Sequence, residues 1–498
     1  ILRCLVGSEM CIRDSDSNTL DQQFYDELLH ILGLTEVQRK GKKLIERLPK
    51  GQRHQGSLLE NAIMQLDTND QICDAENPNK DAIAFEIGIE LCITWINRIL
   101  FLKLLESQLI GYHKASEVKA YSFLNSEKIK GFNDLNYLFF QILAKKRNDR
   151  NKIFRREFEK VPYLNSSLFE QTKLEKNNIF ISSLDNKKTL VIHHKTAIKN
   201  NNGKQQTGDM NTLEYLFAFL DAYDFSSEGT ENIQEENKRL INASVLGLIF
   251  EKINGYQDGS FFTPSFITMY MCRETLRRSV VQKFNVAKKW NCQTLEDVAD
   301  KIETRQDRNE ANKIVNSITI CDPAVGSGHF LVSALNELIA IKSELKILQD
   351  ENGRRLNYYN VEVVNDELVV TDEEGDFFRY KPKNKERLRV QKTLFHEKQN
   401  IIENCLFGVD ININSVKICR LRLWIELLKN AYYKNKYELE TLPNIDINIK
   451  CGNSLISRFA LDADVSKALQ KSKWTIATYQ NAVLAYHKET NSLSLIHI

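Results

Sequence analysis

Two aspartates stand directly after short apolar runs, and the residues around them suit a ligand-binding turn. Asp322 follows the run that begins at Ile318, and the loop after it contains Gly326 and Gly328. Asp410 ends the apolar run in "LFGVD". Ligands bind at the carboxyl ends of strands in open α/β sheets, and glycine lets the backbone approach a ligand without a Cβ in the way. The pattern predicts a nucleotide-like ligand at two strand ends.

Ordinary structural explanations remain open for both features. Many turns contain Gly-x-Gly, and Asp410 alone fits a simple turn acid. The two aspartates are also separated by far more than the roughly 20 residues expected of a compact dinucleotide fingerprint. The alternating segment "YNVEVVNDELVVTDEEGDFFRYKP" lies between them and predicts a β-hairpin insertion over about residues 355–385. Such an insertion explains the long separation.

Two further segments mark the boundaries of helices and strands. In "FFTPSFITMY", Thr263 is predicted to cap a helix whose first turn contains Pro264. Ser415 is predicted to cap the helix after Asp410 in the same way. In "INIKCGNSLI", a strand precedes Asn453, whose side chain could hydrogen-bond an adenine edge. A plain turn at the strand end is the alternative there.

The rest of the chain predicts two kinds of architecture. Residues 16–240 are expected to be mainly helical, and residues 241–492 alternate between strand and helix, which is typical of an α/β domain. The apolar stretch "FEIGIELCITWINRILFLKLL" is interrupted by charged residues and predicts a buried helix rather than a membrane span. The predicted fold class is therefore α + α/β.

Composition excludes few classes of protein. The chain has 68 basic and 66 acidic side chains, so the net charge does not indicate nucleic acid. Two basic stretches, residues 39–54 and 145–160, fit either phosphate contacts or solvated helix faces. The ten cysteines show no spacing that fits a zinc site, and no metal is predicted. Reduced thiols in a cytoplasmic protein are the simplest interpretation.

The two ends of the chain resemble translated sequencing-adapter DNA. "LVGSEMCIRDS" near the start and "LSLIHI" at the end correspond to the two strands of one adapter. We therefore expect residues 1–15 and 493–498 to be adapter-derived, and the natural polypeptide to be an internal piece of a longer protein.

In this order, "FFTP", "DPAVGSGHF", "GVDI" and "GNSL" resemble the amino-half motifs of S-adenosylmethionine-dependent DNA adenine-N6 methyltransferases. The similarity is greatest to type IIG restriction-modification enzymes, which "TWINRILFLKLLESQL" in the helical part also resembles. The resemblance implies a helical connector domain followed by the first part of a Rossmann-like class I methyltransferase domain. It also implies S-adenosylmethionine as cofactor, double-stranded DNA as partner, and a cytoplasmic location without a membrane.

The resemblance also assigns roles to individual residues. The aromatic-Thr-Pro segment would lie against the methionine part of the cofactor, Asp410 would hold the ribose, and Asn453 would lie beside the adenine. The implied cofactor-binding residues are Phe262, Thr263, Pro264, Asp322, Pro323, Ala324, Gly326, Gly328, Phe330, Asp410, Ile411 and Asn453. The family's catalytic Asn-Pro-Pro-aromatic motif follows the "GNSL" segment, but this sequence contains no Pro-Pro pair. We therefore expect no catalytic residue in the chain, and no activity from it alone.

Three other functions remain open at this point. One is a phage-defence DNA adenine methyltransferase that lacks a nuclease. A second is a nucleotide-dependent dehydrogenase, against which "FFTP" and the long separation of the aspartates count. The third is a DNA-binding scaffold without catalytic activity.

Overall fold

The computed structural model describes most of the chain in separate ranges. The described residues are 20–39, 42–68, 80–113, 117–151, 157–164, 167–225, 238–254, 263–435, 438–440, 445–456, 475, 477, 478 and 481. Phe262 and the two terminal stretches expected to be adapter-derived lie outside them. The chain divides into two units: the first ends at Ser260 and the second begins at Phe261. Residues 165–167 also belong to the second unit.

Helices make up most of the first unit. Asp21 caps the first of them by accepting a hydrogen bond from the Phe24 amide at 2.8 Å, and Gly33 ends it with φ +86°. The helices are α1 (Gln22–Leu32), α2 (Leu58–Asp67), α3 (Lys80–Gly111), α4 (Val118–Tyr121), α5 (Phe132–Tyr137), α6 (Lys173–Asn177), α7 (Thr212–Asp221) and α8 (Ala243–Asn254). A π-helical turn, Leu138–Leu143, continues α5.

Two small antiparallel sheets complete the first unit. They pair β1 (Leu34–Arg39) with β2 (Lys42–Arg47), and β3 (Thr189–Val191) with β4 (Asp209–Asn211). The basic stretch 39–54 therefore contains a strand, and its interpretation as a solvated helix face is wrong. Arg47 from this stretch forms a two-pronged ion pair with Glu60 of α2, at 2.7 and 2.6 Å.

The apolar stretch around Trp95 lies in α3, as predicted. This helix is buried on several faces because neighbouring elements pack around it, and its buried set includes the charged Arg98. The Arg98 guanidinium donates to Glu175 at 2.5 Å, and Trp95 donates to the same carboxylate at 3.1 Å. Among the described helices, none is long and apolar enough to cross a membrane.

The second unit combines helices with a parallel sheet. Strands β5 (Ile320–Asp322), β8 (Leu406–Asp410) and β9 (Ile449–Cys451) pair in the order β5-β8-β9. Strands β6 (Tyr359–Val364) and β7 (Glu367–Asp372) form a separate antiparallel pair. The helices are α9 (Ser265–Lys288), α10 (Leu295–Ala299), α11 (Arg305–Asn316), α12 (His329–Glu344), α13 (Lys385–Asn404) and α14 (Ile413–Leu428). The predicted mixture of helix and sheet is confirmed.

Both predicted helix caps are wrong by a few residues. Helix α9 begins at Ser265, so Pro264 occupies the capping position and Thr263 lies before it, with no side-chain cap. Asn412 caps α14 by accepting from the Asn414 amide at 2.8 Å, whereas Ser415 is buried inside the first turn. The side-chain oxygen of Asn412 lies one residue before the helix, where it can accept hydrogen bonds from the free backbone amides of the first turn. Ser415 lies inside this turn and therefore does not cap the helix.

Replacing Glu175 with glutamine should destabilise the first unit strongly. The change leaves the guanidinium of Arg98 buried without its counter-charge, and breaking such a pair costs about 3–5 kcal/mol. Urea unfolding of the whole chain measures the loss. Glu46→Gln is the matched control, because its partner Arg39 is largely exposed and exposed pairs contribute about 0–1 kcal/mol. Equal losses in the two variants would contradict the structural role of the buried pair.

Candidate functional site

The ends of three parallel strands bring the two predicted aspartates to one edge of the sheet. In the β5–β8 register Asp322 pairs with Gly408, and in the β8–β9 register Asp410 pairs with Cys451. Asp322 and Asp410 are both half-buried. The strand ends therefore place the two carboxylates near each other and within reach of solvent.

The loop after Asp322 is fastened to the neighbouring strand. The Gly326 amide donates to the Asp410 carboxylate at 2.8 Å, and the Val325 amide donates to the Val409 carbonyl at 2.9 Å. Asp322 itself accepts from the Ala324 amide at 3.0 Å, which turns the chain immediately after the strand. Asp322, Gly326 and Asp410, which the sequence analysis selected separately, thus belong to one hydrogen-bonded site.

Glycine is required at Gly328 for two separate reasons. Its φ of +84° lies in the left-handed region, and a Cβ built on it would lie 2.7 Å from the Sγ of Cys419. Gly408 is similarly crowded, since its Cβ would lie 2.8 Å from the Val325 side chain. Sequence reasoning missed Gly408, Val325 and Cys419 as parts of the site. Only the glycine within "FGVDI" could have drawn attention to one of them.

Burial and a nearby charge at this end of the sheet act on the Asp322 carboxyl group. Burial raises the pKa of the Asp322 carboxyl, and the nearby charge of Asp410 raises it further, while the Ala324 amide opposes both effects. Helix α12 begins at His329, directly after Gly328, which has no side chain to cap it. No cluster of potential metal ligands occurs among the described residues.

The other predicted residues near this end of the sheet differ in how far they are exposed to solvent. Ile411 and Asn453 are exposed just after their strands, and the Gly452 amide donates to the Asp410 carbonyl at 2.9 Å. Pro323 and Ala324 are exposed in the loop, and Phe330 is half-buried in α12.

Thr263 and Pro264 directly precede helix α9. This helix packs on α12, where the Sγ of Cys272 lies 3.5 Å from the Phe330 carbonyl. Thr263 is half-buried and Pro264 is exposed. The described hydrogen bonds join neither of them to the two aspartates.

Two family models match different parts of the chain. Residues 298–479, which contain the strand ends and the loop, match the family described as "MmeI, DNA-methyltransferase domain". Residues 17–241 match a domain of unknown function, DUF7814. The site thus lies in a region similar to a DNA-methyltransferase domain.

Three individual proteins are also similar to this chain. A putative type II restriction enzyme and methyltransferase from Methanocaldococcus jannaschii is 27% identical over 392 residues, which cover 74% of this chain and 27% of that protein. The adenine-specific methyltransferase PglX from Lacticaseibacillus casei is 24% identical over 200 residues, which cover 37% of this chain and 12% of that protein. The type IIL restriction-modification enzyme MmeI, solved in complex with DNA, superposes with TM-score 0.38 at 14% identity, covering 82% of this chain and 41% of that one.

The chain is therefore similar to restriction-modification methyltransferases, as its motifs predicted. It spans about a quarter or less of the length of the two curated relatives.

Replacing Gly328 with alanine should destabilise the second unit more than the same change at Gly375. Both residues have nearly the same positive φ, but a Cβ at Gly375 meets nothing within 4 Å. Gly375→Ala should therefore cost only the left-handed strain of about 1–2 kcal/mol, and Gly328→Ala about 1–3 kcal/mol more from overpacking. Urea unfolding of both variants measures the difference.

The background substitution Cys419→Ala tests the cause of that difference. Removing the sulfur should recover much of the extra loss at Gly328 and none of the loss at Gly375, since only the former contacts Cys419. A loss at Gly328 that is unchanged in this background would show that the clash has another source.

Proposed function

We propose that this chain is the cofactor-binding part of a restriction-modification protein that methylates adenine N6 in DNA with S-adenosylmethionine. The observation that carries the proposal is the shared edge at which Asp322, the glycine loop and Asp410 meet. The similarity of residues 298–479 to a methyltransferase domain supports the same assignment.

The described residues fit a nucleoside ligand of this kind. Each oxygen of the Asp410 carboxylate accepts one backbone amide, from Gly326 and Asn412, which leaves further acceptor capacity for the hydroxyl groups of a ribose. Asp322 and the loop as far as Gly328 would hold the charged methionine end. The exposed Asn453 would lie beside the adenine.

The proposed domain organisation follows from this assignment. Residues 16–240 would form a helical connector, and residues 241–492 the first part of a Rossmann-like methyltransferase domain. The β6–β7 pair would be a hairpin inserted between the strand that carries Asp322 and the one that carries Asp410, within residues 355–385. We also assign this protein to the cytoplasm, where DNA and the cofactor meet.

When bound, the cofactor supplies an activated methyl group, so the protein contributes mainly binding and orientation. The fixed loop and Asp410 orient the ligand, because both are held by strand pairing before any ligand arrives. Double-stranded DNA is the proposed partner. Adenine is the proposed target because the relative from Lacticaseibacillus casei is named as adenine-specific.

Asp410→Asn should weaken the binding of S-adenosylmethionine by about tenfold or more, because the ribose hydroxyls lose a charged acceptor worth about 1.5–3 kcal/mol. Isothermal titration calorimetry on the whole chain measures the affinity. Asp376→Asn is the control, since it makes the same charge change at an exposed position of the turn after β7. Melting in the absence of ligand checks that the loop is intact.

A competing ligand separates the methyltransferase from a dehydrogenase. We expect S-adenosylhomocysteine to compete with S-adenosylmethionine and NAD to have no measurable effect. Tight binding of NAD, or an affinity for S-adenosylmethionine that Asp410→Asn leaves unchanged, would refute the assignment of the site.

A further inference from the structure

Ser327 separates the two glycines of the candidate site, and its side chain is turned away from solvent. It is 1% exposed, and Gly326 and Gly328 on either side of it have φ of +52° and +84°. The Ser327 hydroxyl accepts a hydrogen bond from the guanidinium of Arg422 at 3.4 Å. Arg422 is itself buried, with 7% of its surface exposed. This contact therefore ties the middle of the glycine loop to the interior of the second unit.

Arg422 reaches the loop from helix α14, which also packs against it. Cys419 of the same helix lies so close to Gly328 that a Cβ there would be 2.7 Å from the sulfur. Cys419 and Arg422 are three residues apart, so they lie on the same side of the helix. The helix follows shortly after β8, whose last residue, Asp410, accepts from the Gly326 amide. The loop is thus held both by a strand and by the helix that follows that strand.

Packing alone does not account for an arginine at this position. A guanidinium loses its hydration when it is buried, and an apolar side chain of similar length would fill the same space without that cost. The charge of Arg422 also reaches the turn between β6 and β7. Burial raises the pKa of the Asp366 carboxyl group at this turn, and Arg422 opposes that rise. The arginine therefore brings a positive charge within range of both the glycine loop and the hairpin turn.

We propose that Arg422 is a positioning residue for the methionine end of the candidate cofactor site and that it acts through Ser327. By holding the serine hydroxyl inside the domain, it keeps the loop against α14 in the shape that the ligand meets. The inference rests on the proposed function, in which the loop as far as Gly328 holds the charged methionine end. The ribose and the adenine are assigned to other residues, Asp410 and Asn453, so a change at Arg422 should affect one end of the ligand more than the other.

Two ligands that differ only at the methionine end test this assignment. S-adenosylhomocysteine carries the amino-acid chain of the cofactor, whereas 5′-methylthioadenosine has a methyl group in its place. Isothermal titration calorimetry on the whole chain measures both affinities. Arg422→Met should weaken the binding of S-adenosylhomocysteine by about tenfold, the effect of losing one hydrogen bond to a charged group, and leave that of 5′-methylthioadenosine nearly unchanged. A general loosening of the domain would instead weaken both ligands alike.

Two further variants supply the rescue and the control. Arg422→Lys keeps the charge and a donor, so it should recover part of the affinity for S-adenosylhomocysteine. Arg420→Met is the matched control on the same helix, because Arg420 pairs instead with Asp446 at 2.8 Å and donates to the Ile449 carbonyl at 2.6 Å. It should keep the wild-type ratio of the two affinities. Melting without ligand checks that each variant is folded.

Ser327→Ala tests the contact from the other side without removing the charge. It should weaken the binding of S-adenosylhomocysteine selectively, as Arg422→Met does. In a double-mutant cycle, the combined variant should lose no more affinity than either single variant, because both changes remove the same contact. Additive losses would show that Arg422 does not act through Ser327 and would overturn the inference.

The outcomes separate this inference from the proposed function. If the folded wild type binds neither ligand, both are overturned. If the wild type binds but Arg422→Met weakens the two ligands by the same factor, or weakens neither, Arg422 has no positioning role and the cofactor site stands.

Discussion

The hydrogen bond from the Gly326 amide to the Asp410 carboxylate joins the loop after one strand to the end of the next. It forms only because β5 and β8 are parallel neighbours, which brings together residues far apart in the sequence. The same carboxylate is therefore both an anchor for the loop and the proposed acceptor for a ribose. A substitution there changes the shape of the loop as well as the ligand contact, so affinity and stability have to be measured separately.

Close backbone packing makes this bond possible. Gly408 lets the Val325 side chain lie against β8, and Gly328 lets α12 start against Cys419 of α14. A side chain at either glycine would push the loop away from the strand end. Gly326, which is proposed to face the ligand, and the packing glycines Gly328 and Gly408 are thus parts of one arrangement, in which Gly326 shapes the loop and the other two set its distance from the sheet.

Local patterns in the sequence predicted the features that depend on local physics. The apolar runs before Asp322 and Asp410 form strands, and the apolar stretch around Trp95 forms a buried helix. The cap of α14 was misplaced because Asn412 lies directly before the first helical residue, whereas Ser415 lies inside the first turn. The close contact between Gly328 and Cys419 had no local signal, because folding brings it about between two segments far apart in the sequence.

Two adjacent acids at the hairpin turn have opposite environments. Glu367 is paired with Lys429 of α14, which also binds Glu426. Asp366 is buried at the turn instead, and burial raises the pKa of its carboxyl group to about 7. The ion pair fastens the hairpin to α14, and the Asn336 side chain, which donates to the Asp366 carbonyl at 2.7 Å, fastens it to α12. The hairpin is thereby part of the support of the candidate site rather than an appendage to it.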